Sequence, residues 1–223
     1  MHSDSNNSRN NSMKIKNILS LSILLLSCVA SAETITFKTQ TIPPQYTNFS
    51  GNIPFIQGKG FEKINQQIKH ELLADDATRI DFSSGKIYQD QNFLSVYTHL
   101  EIEGGRSYYR EKYYVIDLKN KQFATLSQIL QKYQLSAAQI SNEIAQQLDP
   151  CIENKTATLS KTSNDCDSAD LQYLYRYYAE DRNFIALKNA SGFYLKKDIL
   201  GISFDAGAYS IPFEYNLKTK QVH

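Results

Sequence analysis

The stretch Leu94-Ser-Val-Tyr-Thr-His-Leu-Glu-Ile102, followed by Gly104-Gly105, decides the fold class of this chain. Its apolar and polar residues alternate, which is the period of a β-strand with one buried face. A pair of glycines favours a tight turn, so we expect the strand to continue as a hairpin into Ser107–Asp117. The sequence therefore predicts an antiparallel hairpin near the middle of the domain.

Strand and helix periods alternate on both sides of this hairpin. Thr34–Ile42 alternates like a strand, whereas apolar side chains recur at helical spacing over residues 61–72. Thr125–Gln128 and Ser136–Gln139 fit capping boxes that begin two further helices. The segment Pro150–Asp167 is polar and predicts a loop. A short helix at residues 171–178 and closing strands at 183–187, 192–195, 201–204 and 209–213 follow. We detect no internal repeat and predict a single α+β domain, with antiparallel sheets and two to four helices packed on them.

Residues 14–32 have the pattern of an export signal. Lys14 and Lys16 precede an apolar run, and Ala30-Ser-Ala32 supplies the small residues of a cleavage site. We therefore expect a leader and signal peptide at residues 1–32 and an exported domain at residues 33–223, periplasmic or secreted. A second reading remains open, because Leu25-Leu-Ser-Cys28 resembles a lipobox, and lipidation of Cys28 would anchor the protein to a membrane.

Charge and motif content narrow the function classes. The chain has 24 Lys and Arg against 23 Asp and Glu, a balance that does not indicate a nucleic-acid partner. The histidines are scattered, without the spacing of a metal site, and no G-x-S-x-G nucleophile motif is present. We therefore expect no catalytic residues, no metal and no cofactor.

Two cysteines remain outside the leader. Cys151 and Cys166 flank a polar segment and would enter a compartment that permits disulfides. Because zinc would need further ligands that the spacing does not supply, we predict a Cys151–Cys166 bridge. The chain-entropy model gives such a bridge a stabilisation of about 3 kcal/mol.

Three sets of motifs carry a resemblance to a known family. They are Ile53-Pro54 with Ile64-Asn65; Tyr114–Leu118 followed by Leu126–Leu130; and Phe193–Leu195 with Ile202–Phe204, Gly207 and Ile211-Pro212. In this order they resemble the domain of unknown function in the extracellular part of the lysozyme-sensing anti-sigma factor RsiV, which also occurs in the non-catalytic N-terminal region of a peptidoglycan deacetylase. We find neither a sigma-factor-binding segment nor the deacetylase metal motif. The resemblance therefore implies a stand-alone exported recognition domain.

Two clusters of tyrosine and arginine are candidate partner-binding surfaces, because these residue types offer large contact areas with polar tips. The first cluster comprises Arg106, Tyr108, Tyr109, Arg110, Tyr113 and Tyr114, and the second comprises Tyr173, Tyr175, Arg176, Tyr177 and Tyr178. The structural alternative is that the first set covers two sheet faces and the second packs a helix. Glu101, Glu103 and Glu111 flank the hairpin turn as a possible acidic rim, while His99 is expected to be structural.

These observations favour a non-enzymatic binding protein of the bacterial envelope. The partner implied by the resemblance is a lysozyme-type muramidase, and a basic enzyme would be attracted to an acidic rim. Two other classes stay open: a protein that binds peptidoglycan or another glycan through its aromatic residues, and an immunity protein against a periplasmic toxin.

Overall fold

A computed structural model describes residues 34–74, 78–105, 108–156 and 169–222; within the last two ranges, the side chains of Cys151, Glu153–Thr156 and Ala169–Tyr173 are not described. The strands are β1 (Thr36–Thr41), β2 (Phe49–Gln57), β3 (Arg79–Gln89), β4 (Phe93–Glu103), β5 (Tyr108–Asp117), β6 (Gln122–Phe123), β7 (Gly192–Lys196), β8 (Ile199–Ala206), β9 (Tyr209–Asn216) and β10 (Gln221–Val222). The helices are α1 (Glu62–Leu72), α2 (Leu126–Lys132), α3 (Ala137–Thr156) and α4 (Ala169–Glu180). Within the described ranges, no helix has the length and apolar character needed to span a membrane.

The first sheet has six strands in the order β1-β2-β3-β4-β5-β6. Strands β2 and β3 are parallel and the other neighbours are antiparallel, because α1 crosses over between β2 and β3. The helix buries Ile64, Ile68 and Leu72 against one face of the sheet. On that face, alternate residues of β4 from Leu94 to Ile102 are buried, as the strand period predicts.

The second sheet is an antiparallel meander in the order β10-β9-β8-β7. One face packs with α2, α3 and α4 around a second core that includes Ile144, Leu174 and Phe204. Strand β7 lies against the other face of the first sheet, where the Leu195 backbone N–H donates to Ser95 Oγ at 2.8 Å. The described residues form a single α+β domain with two sheets and four helices, which confirms the predicted fold class.

Two segments differ from the sequence-based expectation. Residues 183–187 are not a strand but part of two 3-10 turns, because the Asp181 side chain accepts from the Asn183 backbone N–H and begins a turn while Ile185 and Leu187 enter the core. Helix α3 continues through Pro150 to Thr156, although a loop was predicted there. Ile152 lies four residues after the buried Leu148 and extends the same apolar stripe onto the core.

Strands β3–β6 and β7–β10 are each antiparallel meanders that end in a two-residue strand. The turn segments 117–123 and 216–222 share the pattern Leu-Lys-x-Lys-Gln and pair in the same register. The side chain that begins each turn, Asp117 or Asn216, accepts from two backbone N–H groups. The second lysine of each turn, Lys121 or Lys220, has a positive φ. The two turns therefore share one local conformation.

Candidate functional site

The first tyrosine cluster is divided between the two faces of the first sheet. Tyr108 and Tyr114 pair with Ile102 and Val96 and so lie on the face that carries α1, whereas Tyr109 and Tyr113 lie on the opposite face. Tyr114 is buried, and burial followed by the nearby Glu71 carboxylate raises the pKa of its hydroxyl. The predicted surface is therefore not one continuous patch. Arg106 lies outside the described residues.

Tyr113 joins the two sheets and is not a free contact residue. Its ring lies 4.9 Å from the ring of Tyr194 and closes over Gly192. Its hydroxyl donates to the Glu111 carboxylate, and burial, followed by that carboxylate, raises the pKa of the hydroxyl. Tyr113 is half-buried, so its main contribution is to hold β5 against β7.

Arg110 holds the turn between β8 and β9. Its guanidinium lies 3.6 Å from the Asp205 carboxylate and donates to the Gly207 carbonyl at 3.3 Å. The same group lies over the ring of Tyr108 at 5.9 Å. Because these contacts are within the domain, the side chain is already engaged, although 44% of it remains exposed.

Tyr109 lies on β5, at the edge of an exposed surface formed by β3–β5. The residue is 41% exposed, and its ring stacks on that of His99 with centroids 5.4 Å apart. The Tyr109 hydroxyl donates weakly to Glu101 at 3.4 Å. These contacts fix the ring and leave part of it open to solvent.

Carboxylates lie near Tyr109 on the same sheet face. The strand register places Asp81, Glu101, Glu103 and Glu111 there, so the three glutamates predicted to form a rim do lie together. Arg79 pairs with Glu103 at 3.4 Å, and His99 lies 3.9 Å from Glu111. We call Asp81, His99, Glu101, Glu103, Tyr109 and Glu111 the acidic face. Asp81 was not singled out from the sequence, although the alternation of β3 would have placed its side chain on this face of the sheet.

The second tyrosine cluster is divided between the core and the surface: Tyr175 and Tyr178 are buried, and Arg176 and Tyr177 are exposed. Tyr175 is only 4% exposed, so its predicted role as a partner contact is wrong: the helical period turns it towards the core of α2, α3 and α4. Tyr177 is 38% exposed and stacks on Phe184.

The remaining polar members of this helix have local partners. The Tyr178 hydroxyl donates to Asp149 at 2.9 Å. Arg176 is exposed and pairs with Glu180 one turn away. The side chain of Tyr173 lies outside the described residues.

The predicted disulfide and lipidation sites also fall outside the described part of the chain. Cys28 and Cys166 are not among the described residues, and of Cys151 only the backbone, in α3, is described. The bridge and the processing route stay predictions. Across residues 34–74, 78–105, 108–156 and 169–222, no three His, Cys, Asp or Glu side chains are grouped so as to hold a metal ion.

Comparison with known proteins finds a distant structural likeness. No protein-family model matches the sequence, and no curated protein matches it. The chain is similar to the crystal structure of a DUF3298 family protein from Pseudomonas aeruginosa PAO1, with a TM-score of 0.37 and 8% sequence identity. The similarity covers 86% of this chain and 93% of that one.

Proposed function

We propose that this chain is a non-enzymatic binding protein of the bacterial envelope that docks a basic, lysozyme-type muramidase on the acidic face. The observation that carries the proposal is the exposed ring of Tyr109 among four carboxylates. The export signal and the RsiV-like motif order support the envelope and the muramidase as its setting and partner.

Tyr109 has the properties of an interface anchor. Tyrosine is enriched among the residues that dominate binding energy, because a large rigid ring is buried at little cost in conformational entropy. Stacking on His99 holds this ring before any partner arrives. Truncating an anchor of this kind typically costs about 2 kcal/mol or more of binding free energy.

The carboxylates serve a different purpose from the ring. Exposed charges of one sign attract an oppositely charged protein and raise its association rate, while each adds little to the final affinity. Glu103 and Asp81 are exposed at the margin of the acidic face. We therefore expect their removal to slow association with a basic enzyme and to weaken the salt dependence of that rate.

Calorimetry with a c-type lysozyme tests the proposal. Tyr109→Ala should weaken binding at least tenfold, whereas Tyr177→Ala, which truncates an equally exposed tyrosine elsewhere, should leave the affinity unchanged. Tyr175→Ala should lower thermal stability without changing the affinity of the folded fraction. If the unaltered protein binds no lysozyme at micromolar concentrations, or if Tyr177→Ala weakens binding as much as Tyr109→Ala, the proposal is wrong.

A further inference from the structure

A cleft of about 380 Å³ lies at the end of the domain opposite the acidic face. It is bounded by the turns that follow β3, β7 and β9, and by Tyr133 at the end of α2. Tyr88 of the cleft pairs with Ser95, six residues before Glu101 on β4, so the cleft and Glu101 are about 20 Å apart at a rise of about 3.3 Å per residue. The cleft is thus a second site, independent of the proposed muramidase surface.

The rim of this cleft is held by hydrogen bonds within its own turns. Asp90 Oδ1 accepts from the backbone N–H groups of Asn92 and Phe93, both at 2.7 Å. The Leu217 backbone N–H donates to the Asp198 carbonyl at 2.8 Å, which ties two of the turns together. A rim fixed in this way is organised before a ligand enters.

One cation of the cleft is available to a ligand. Lys196 pairs with Glu214 at 3.0 Å, and Lys218 pairs with Asp198 at 2.6 Å. Lys197 is exposed at the tip of the turn between β7 and β8, and no carboxylate of the described residues forms an ion pair with it. A carboxylate in the cleft would therefore find an unpaired ammonium group.

The other groups that line the cleft suit a polar ligand that also has apolar C–H faces. Tyr88 and Tyr133 line the cleft and are half-buried, and the Tyr88 hydroxyl donates weakly to Asp90 Oδ2 at 3.4 Å, which leaves its oxygen able to accept from a ligand. Leu217, which is partly exposed, supplies apolar surface beside them. Hydroxyl groups beside aliphatic surface match a sugar ring, which has polar edges and apolar faces.

We infer that this cleft binds a sugar that carries a carboxylate. Its volume lies at the small end of the range of about 300–1,000 Å³ seen for ligand pockets, which suits one or two rings rather than a polymer strand. Lys197 contacts the carboxylate, and the phenols of Tyr88 and Tyr133 contact the hydroxyl groups. Leu217 packs against the C–H face of the ring.

N-acetylmuramic acid and N-acetylglucosamine form the test pair, because they differ only by a carboxylate-bearing ether. In calorimetric titrations of the whole protein we expect the acidic sugar to bind about tenfold more tightly, the size of one charge-assisted hydrogen bond. Lys197→Gln should abolish this difference. Lys38→Gln, which removes an equally exposed lysine on β1, is the matched control and should preserve it.

Other results would overturn the inference. These are equal affinity for the two sugars, an equal effect of the two lysine variants, or binding of inorganic phosphate as tightly as the acidic sugar. Lysozyme titrated into Lys197→Gln in the absence of sugar separates this inference from the proposed function. Its affinity should equal that for the unaltered protein if the two sites are independent, and a loss as large as that caused by Tyr109→Ala would contradict the placement of the sugar.

Discussion

Replacing Gly201 with alanine is expected to destabilise the junction between the two sheets. A Cβ at this position would lie 2.1 Å from Cζ of Tyr194 and within 2.5 Å of two further ring atoms. Ordinary carbon contacts lie near 3.5–4.0 Å, so the ring must move by more than about 1 Å. Such a movement breaks the 2.7 Å hydrogen bond from the Tyr194 hydroxyl to Glu214 and shifts the ring packed on Tyr113.

The magnitude follows from these two losses. Overpacking a core position costs about 1–3 kcal/mol, and a hydrogen bond to a charged group contributes about 1.5–3 kcal/mol. We expect a loss of about 3–5 kcal/mol in the free energy of unfolding, a large share of the roughly 5–15 kcal/mol of a typical domain. For a domain of this size the melting temperature should fall by about 10 °C.

Urea and thermal unfolding followed by circular dichroism provide the measurement. Gly105→Ala is the matched control, because nothing lies within 4 Å of its added Cβ, and it should change stability by less than about 0.5 kcal/mol. In the background of Tyr194→Ala, Gly201→Ala should be nearly neutral. Equal effects of the two glycine variants, or additivity with Tyr194→Ala, would show that the contact is not the cause.

Three further outcomes are expected. Thr125→Ala should lower the free energy of unfolding in urea by about 1 kcal/mol, because Thr125 Oγ1 accepts from the Gln128 backbone N–H and Gln128 Oε1 accepts from the Thr125 backbone N–H. Ser136→Ala should cost less, because at that helix start only one such bond is seen, from the Gln139 backbone N–H to Ser136 Oγ. Mass spectrometry without reductant should find Cys151 and Cys166 bridged in the exported protein, and two free thiols would refute the pairing. Incubation with peptidoglycan should release neither muropeptides nor acetate; release that a single carboxylate substitution abolishes would make the protein an enzyme.

Sequence periodicity predicted the elements that bury one face. Alternation from Leu94 to Ile102 located β4, and the Thr125 capping box located the start of α2, because both patterns have a direct physical cause in the backbone. The predicted strand at residues 183–187 was wrong, because a short apolar run has the same composition in a strand and in a buried turn. The loop predicted from Pro150 onwards was wrong for residues 150–156, because the packing of Ile152 on the core outweighs the hydrogen bond that the proline removes from α3.

The surfaces were harder to predict than the elements. In α4 the helical period places Tyr175 and Tyr178 with Leu174 on one apolar stripe and Tyr177 off it, so the spacing indicated which tyrosines are buried, whereas the amphipathic character of tyrosine did not. In β5 the alternation itself was informative, since it separates Tyr108 from Tyr109 once the strand is recognised. Lys197 could not be found from sequence, because its cleft is formed by three turns distant along the chain.

The two related turns allow a test of how charge contributes to stability. Burial alone would raise the pKa of Asp117, but hydrogen bonds from Asn120 and Lys119 outweigh it and hold that pKa below its usual value. Asn216 makes the corresponding backbone bonds in the other turn without a charge.

A carboxylate whose pKa is lower in the folded protein stabilises that state above the unfolded pKa of about 3.9. This contribution disappears as the pH falls through the folded pKa. Asp117→Asn should therefore be less stable than the unaltered protein at pH 7, by under about 1 kcal/mol because the site is partly solvated. The difference should shrink below about pH 4. Asn216→Asp should gain the same acid dependence in the other turn. If the difference in unfolding free energy between Asp117→Asn and the unaltered protein stays constant from neutral to acid pH, then hydrogen-bond geometry alone, and not charge, stabilises these turns.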